Sequence, residues 1–363
     1  MTVDTRGRVV LSWLERIGDG PKHAFKYAFR QGGDWTPART IVERDNFFVN
    51  WADVPSVFPI NGRGGLVAHW LQKNGTGTYA YDVRIALSDP EARTWSADRL
   101  PYVDATQTEH GFASFFEWPG GGIGIVWLDG REMKAGSHDS HGGGAMTLRA
   151  ARIDPNGAMR DEARIDARVC ECCPTAAVAT ARGAVVAYRD RTESEVRDIG
   201  VLRLENGKWS GPTYVHADGW RINACPVNGP ALAAAGDRVA LAWFTAQADS
   251  PRALVAFSSD GGQTFGRPVR ADQAQTLGRV DVVMLESGSA LVSWLEFTPN
   301  GSEFRVREVS PDGTRGPHVT ITSASSDRQS GYPRMVRSGK DVIFAWTATR
   351  PALHVKTAVA TLP

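Results

Sequence analysis

Val9–Val10–Leu11–Ser12–Trp13–Leu14 is a short apolar run that closes on an aromatic, and the chain returns to it six more times. The returns are Leu66–Trp70, Ile123–Trp127, Val185–Tyr188, Val239–Trp243, Ala290–Trp294 and Val342–Trp346. The anchoring aromatics are Trp13, Trp70, Trp127, Tyr188, Trp243, Trp294 and Trp346, spaced by 57, 57, 61, 55, 51 and 52 residues. A period of this size marks a repeat architecture.

The surroundings of each anchor recur as well. A small apolar strand and a tight turn precede it, as in Ala231–Leu232–Ala233 and Gly236–Asp237. A polar loop and an alternating strand follow, as in Arg252–Ala253–Leu254–Val255–Ala256–Phe257. Then a turn such as Asn206–Gly207–Lys208–Trp209 leads into a fourth strand. Strand length, period-two alternation and turn dipeptides favour β-structure throughout. Four strands per unit describe a propeller blade, which buries its two faces only by stacking on its neighbours. The expected fold is all-β: a single β-propeller over residues 1–363, with seven blades, or six if one unit is irregular. The last unit offers three strands, so an N-terminal strand is expected to close the ring by completing it. The aromatic anchors are read as packing between blades.

Lys and Arg number 41 against 40 Asp and Glu, a net charge of +1, which gives no support for nucleic acid as a partner. No run of eighteen apolar residues is present, so no membrane-spanning segment is expected. No signal peptide is visible, and because Met1 falls almost inside a strand that absence says little; a secreted or periplasmic location is the expectation.

In a propeller, the loops between blades and those joining strand two to strand three emerge together on one face. Sorted this way, that face collects Asp53, Glu109–His110, His138, His141, Glu193, Glu195, Arg221, Arg279, Arg328, Tyr332 and Arg334. It also collects all four cysteines, in Cys170–Glu171–Cys172–Cys173–Pro174 and Cys225–Pro226. Proline after Cys173 and Cys225 gives the two segments similar entry geometry. Three readings of the cysteines stand open. They form two disulfides, with Cys170 or Cys172 pairing Cys225. They hold a soft metal, Cu or Zn, with His110, His138 or His141 in support. Or one of them is a reactive thiol beside Arg168, Arg221 or a histidine.

Ser258–Ser259–Asp260–Gly261–Gly262–Gln263–Thr264–Phe265 has the pattern Ser-x-Asp-x-Gly-x-Thr-aromatic, and Ser88, Thr94 and Trp95 keep part of it in a second copy. Through this pattern and the register-matched turns, the whole chain resembles the Asp-box (BNR-repeat) sialidase-like propellers. The resemblance implies the fold; activity does not follow from it. Carried over to this chain, it implies Asp53 as acid/base, Tyr332 as nucleophile and Glu195 (or Glu193) as its base. It implies Arg221 and Arg279, with Arg328 and Arg334 nearby, as a clamp for the carboxylate of an acidic sugar. The chain departs from the family in lacking the Phe/Tyr-Arg-Ile-Pro motif, in its seven units and in its cysteine cluster. Three functions follow as expectations: an exo-glycoside hydrolase for an acidic, sialic-acid-like sugar, a non-hydrolytic propeller holding a soft metal, and a disulfide-stapled scaffold for a small molecule or glycan.

Overall fold

The computed structural model describes residues 1–133, 144–299 and 301–363. Seven antiparallel sheets follow one another along the chain, and each expected anchor lies in the second strand of its sheet. The fold class is an all-β, seven-bladed β-propeller. The chain divides into two compact units, Met1–Ala167 and Arg168–Pro363. The first carries blades one to three and the second carries blades four to seven.

The anchors pack as their sequence environment requires. Trp70, Trp127, Tyr188, Trp243 and Trp294 are buried, in strands whose neighbours are Val, Ile, Leu and Ala. An indole still carries an N–H that must find an acceptor. Strand alternation places residue i+2 on the same side as residue i, and the acceptor often stands there. Trp127 Nε1 donates to Asp129 Oδ2 at 2.7 Å, and Trp294 donates in the same way to Glu296. Within the second unit, Val185, Ala187, Ile199 and Val201 of blade four pack on Leu241, Trp243, Leu254 and Ala256 of blade five. Each Val, Ile or Leu among them contributes about 1.5–3 kcal/mol on full burial.

Two turns repeat one device. Asp260 accepts from the amides of Gln263 and Thr264 at 3.0 Å and from Thr264 Oγ1 at 2.6 Å, while Ser258 Oγ accepts from the amide of Gly262. Asp89 accepts from the amide and hydroxyl of Thr94 at 2.6 and 2.5 Å. A short acidic side chain thus satisfies backbone donors that the tight turn leaves without strand partners.

The N-terminal strand lies in the first sheet. Thr2–Val3 pairs with Val9–Val10 in the first sheet, and the last sheet has three strands, Arg334–Ser338, Asp341–Ala348 and His354–Thr361. The reason is local. Asp4 Oδ1 accepts from the amides of Arg6 and Arg8, Gly7 takes φ +77°, and the resulting hairpin pairs the strand with its own neighbour.

Candidate metal centre

Three of the four cysteines converge at the entry to blade four. Cys170 is pinned by its amide, which donates to the Arg189 carbonyl at 2.9 Å, and Val169 bridges Asp190. From there Cys170–Glu171–Cys172–Cys173 turns back on itself before Pro174. Cys170 Sγ lies 2.6 Å from Cys173 Sγ and 3.8 Å from Cys172 Sγ, and the three sulfurs lie within 4.8 Å of one another. Cys170 and Cys173 are buried, Cys172 is half-buried, and Cys225 is exposed and within side-chain reach of Cys172. No disulfide is drawn among the four cysteines, while the 2.6 Å between Cys170 and Cys173 is closer than unbonded sulfurs stand. The nearest pair lies within one loop, where the sequence had suggested pairing between loops.

The second cysteine segment is held against the first. A Cβ on Gly229 would meet the Pro174 carbonyl oxygen at 1.9 Å, so only glycine lets the two backbones approach. Next to it, Asn228 receives Arg189 Nε at its carbonyl (2.8 Å) and the Arg279 amide at Oδ1 (2.8 Å). Val227 takes φ +46°, unusual for a β-branched residue. The Arg189 guanidinium, almost fully buried, also donates to the carbonyls of Arg197 and Phe244, both at 2.6 Å. One cation thereby ties three segments around the cluster.

Beneath the sulfurs is a closed square of charge. Glu171 accepts from Arg191 at 3.0 Å and from Arg197 at 3.2 Å. Glu195 accepts from the same two arginines at 2.6 and 3.1 Å. Arg197 Nη1 also reaches Cys170 Sγ at 3.2 Å. Burial works against ionising Cys170, but donation from the Cys172 and Cys173 thiols and the Arg197 charge together hold it well below the ordinary thiol range. Burial, reinforced by Cys170, pushes the other two thiols up. Glu195 is held low, first by its hydrogen bond from Arg191.

The residues carried over from the sialidase resemblance stand as follows. Arg279 is buried, and its guanidinium donates to Ser330 Oγ at 2.6 Å and to the carbonyls of Gly331 and Asp327 at 3.0 and 3.2 Å. It clamps the Ser326–Gly331 loop. The Tyr332 hydroxyl donates to the Val227 carbonyl. Burial, and then the charge of the nearby cysteines, raises the Tyr332 phenol. Tyr332 thus belongs to the same neighbourhood as the sulfurs. Arg334 lies 5.7 Å from the Tyr332 ring centroid, while Arg221 and Arg328 are exposed. Both oxygens of Glu195 face Arg191 and Arg197, and Glu193 is exposed.

Asp53 and His110 lie in the first unit. Asp53 Oδ2 accepts from the Phe112 amide at 2.8 Å and from Tyr81 Oη at 3.1 Å, and Tyr81 also reaches Glu109 Oε1 at 2.8 Å. Asp53 Oδ1 is buried with no partner. Burial raises this carboxyl to about 7. His110 Nε2 meets Asp104 Oδ2 at 2.8 Å and Nδ1 meets the Thr108 carbonyl at 3.2 Å, so carboxylate and backbone engage both its nitrogens. His138 and His141 lie outside the described residues. Arg191, Arg197, Tyr81 and Glu109 went unassigned from sequence. Their signal was weak, because loop arginines and acids abound in this chain and only convergence singles them out.

No protein-family model matches this chain, and no curated protein matches it in sequence. Solved structures do. A polysaccharide lyase, Uly1, aligns over 98% of this chain and 88% of its own, at 8% identity and TM-score 0.59. A leech intramolecular trans-sialidase, solved with 2,7-anhydro-Neu5Ac, aligns over 96% of this chain and 82% of its own, at 11% identity and TM-score 0.55. The α-L-arabinanase of Penicillium chrysogenum, solved with arabinobiose, aligns over 85% and 93%, at 12% identity and TM-score 0.52. The likeness is one of fold. At these identities it reaches the blades and leaves the cysteine cluster to be read on its own chemistry.

Proposed function

We propose that this propeller binds a soft metal ion, Cu(I), through the thiolates of Cys170, Cys172 and Cys173. The observation that carries the reading is the meeting of three sulfurs within 4.8 Å at the end of one short loop. Thiolates are the preferred ligands of Cu(I), and a set of three suits its low coordination number. Zn(II) takes four ligands in a structural site and would need Cys225 as the fourth. Arg197 beside Cys170 offsets part of the negative charge that a thiolate set brings into a buried place. An extracytoplasmic location remains part of the proposal. The test is a titration of the reduced protein with Cu(I) against a chromophoric chelator. About one tightly held ion per chain is expected, lost in Cys170→Ser and Cys173→Ser. Binding no tighter than that of the fully alkylated protein would reject the reading.

Asp53 favours a second reading, in which the chain acts on carbohydrate. A buried carboxyl that stays protonated up to about 7 has the property required of a general acid acting on a glycosidic oxygen. The fold neighbours, among them a trans-sialidase, an arabinanase and a polysaccharide lyase, support carbohydrate as the ligand class. The acidic sugar expected from sequence is the first substrate to try. Turnover of a fluorogenic sialoside that disappears in Asp53→Asn is the supporting result, and no turnover by the wild-type protein on sialoside, arabinan or uronic-acid polymer removes the reading.

A further inference from the structure

The four cysteines form a graded series. Cys225 is exposed, Cys172 is half-buried, and Cys170 and Cys173 are buried at 1% and 2% exposure. The order of contact matches the order of burial. Cys225 stands on the solvent side within reach of Cys172, Cys172 lies 3.8 Å from Cys170, and Cys170 lies 2.6 Å from Cys173. The sulfurs therefore run in sequence from solvent to the enclosed pair.

The backbone keeps that series in place. Gly229 against Pro174 fixes the separation of the two segments, and Asn228, three residues after Cys225, is tied by Arg189 and Arg279. Cys225 itself lies in an irregular segment, ahead of these ties. It has the exposure of a residue that meets a partner, while the residues after it have the fixity of a scaffold.

We infer that Cys225 is the entry thiol of the centre, taking Cu(I) from a thiolate-bound donor and passing it through Cys172 to the buried pair. The inference rests on the Cu(I) reading above. Each transfer is a ligand exchange without redox change. The Cys225 thiol releases its proton to solvent and its sulfur bonds to copper as one donor sulfur leaves and takes up a proton. The Cys172 sulfur then bonds to copper and gives up its proton, and the remaining donor bond breaks as that donor sulfur takes up a proton. Cys170, already held toward the thiolate, and Cys173 complete the set as the Cys173 proton is released and the departing Cys225 sulfur takes one up. Copper remains Cu(I) throughout. A softly ligated ion crosses by such associative steps without ever being free, and the donor is recognised as a thiolate complex of Cu(I).

The experiment uses Cu(I)–glutathione as donor and follows loading of the intact protein by the ultraviolet thiolate–copper absorption in stopped flow. Cys225→Ser is expected to keep about one ion per chain and an equilibrium affinity close to wild type, while loading slows roughly tenfold or more. Brief alkylation of the wild type under native conditions, mapped to Cys225 by mass spectrometry, should give the same slow loading. Unchanged loading in both preparations overturns the entry role and leaves the Cu(I) centre standing. A loss of affinity in Cys225→Ser as large as in Cys170→Ser also overturns it, because Cys225 is then a permanent ligand. No binding of Cu(I) by the wild type removes the parent reading and this inference together.

Discussion

Arg197 Nη1 lies 3.2 Å from the sulfur of Cys170, and the same nitrogen lies 3.2 Å from Glu171 Oε2. One guanidinium thus joins the sulfur cluster to the charge square beneath it. Groups that orient and charge-balance a ligand from behind typically tune metal affinity by about 10–100-fold. Arg197→Gln should weaken Cu(I) binding by about that factor in chelator competition, with the number of ions bound unchanged. The variant also leaves Glu171 and Glu195 short of a buried cation, so a stability loss of about 3–5 kcal/mol is expected alongside. Chemical denaturation of the metal-free protein reads that loss separately.

Gly229 and the Pro174 carbonyl give a purely steric prediction. A methyl group at 1.9 Å from that oxygen must push the two cysteine segments apart. Gly229→Ala should cost about 1–3 kcal/mol, the usual range for overpacking. It should also slow or weaken Cu(I) uptake, although no ligand is altered. Urea denaturation with the Cu(I) titration on the same preparation checks both.

Asp53 and His69 oppose one another in the pH dependence of stability. Burial raises Asp53 to about 7 from 3.8, so the fold holds a proton there that the unfolded chain releases. Stability from this group is full below its unfolded pKa and falls as pH rises toward 7. His69 is fully buried with neither ring nitrogen bonded, and burial lowers it to about 3 from 6.5. The unfolded chain takes up a proton there that the fold refuses, so stability falls as pH drops from 6.5 toward 3. Each slope is about 1.4 kcal/mol per pH unit, with opposite signs. Their sum is nearly flat between about pH 4 and 6.5. Asp53→Asn should therefore make stability climb with pH across that window, and His69→Leu should make it decline. Thermal melts at three pH values decide the matter.

The Asp260 carboxylate accepts four hydrogen bonds in its turn. Asp260→Ala leaves two amides and two hydroxyls to find water, which is available at this partly exposed site. A loss of about 1–2 kcal/mol is expected, with Cu(I) binding unchanged. A change in copper affinity would show that the turn does more than fold the blade.

Much of this architecture was legible because repetition is a long-range signal. Seven occurrences of an apolar strand ending in an aromatic outweigh any local ambiguity, and each anchor occupies the expected strand. Thr2–Val3 is held in the first sheet by the local turn centred on Asp4. At the centre, Cys170–Glu171–Cys172–Cys173 was visible as a motif, but its chemistry depended on geometry. Pairing between loops looked easier on paper, whereas the folded loop brings Cys170 to Cys173. Arg197 was hidden in a loop with Arg189 and Arg191, and only folding distinguishes them. Arg189 ties backbone, Arg191 balances carboxylates, and Arg197 does both and touches sulfur.

Arg189 has a consequence for selectivity. Its guanidinium grips carbonyls of Asn228, Arg197 and Phe244, so the walls around the sulfurs are set before any ion arrives. A rack built in this way cannot widen to suit a guest. An ion that demands longer bonds or an octahedral shell must bear the misfit itself, so discrimination here is a matter of stiffness as much as of donor type.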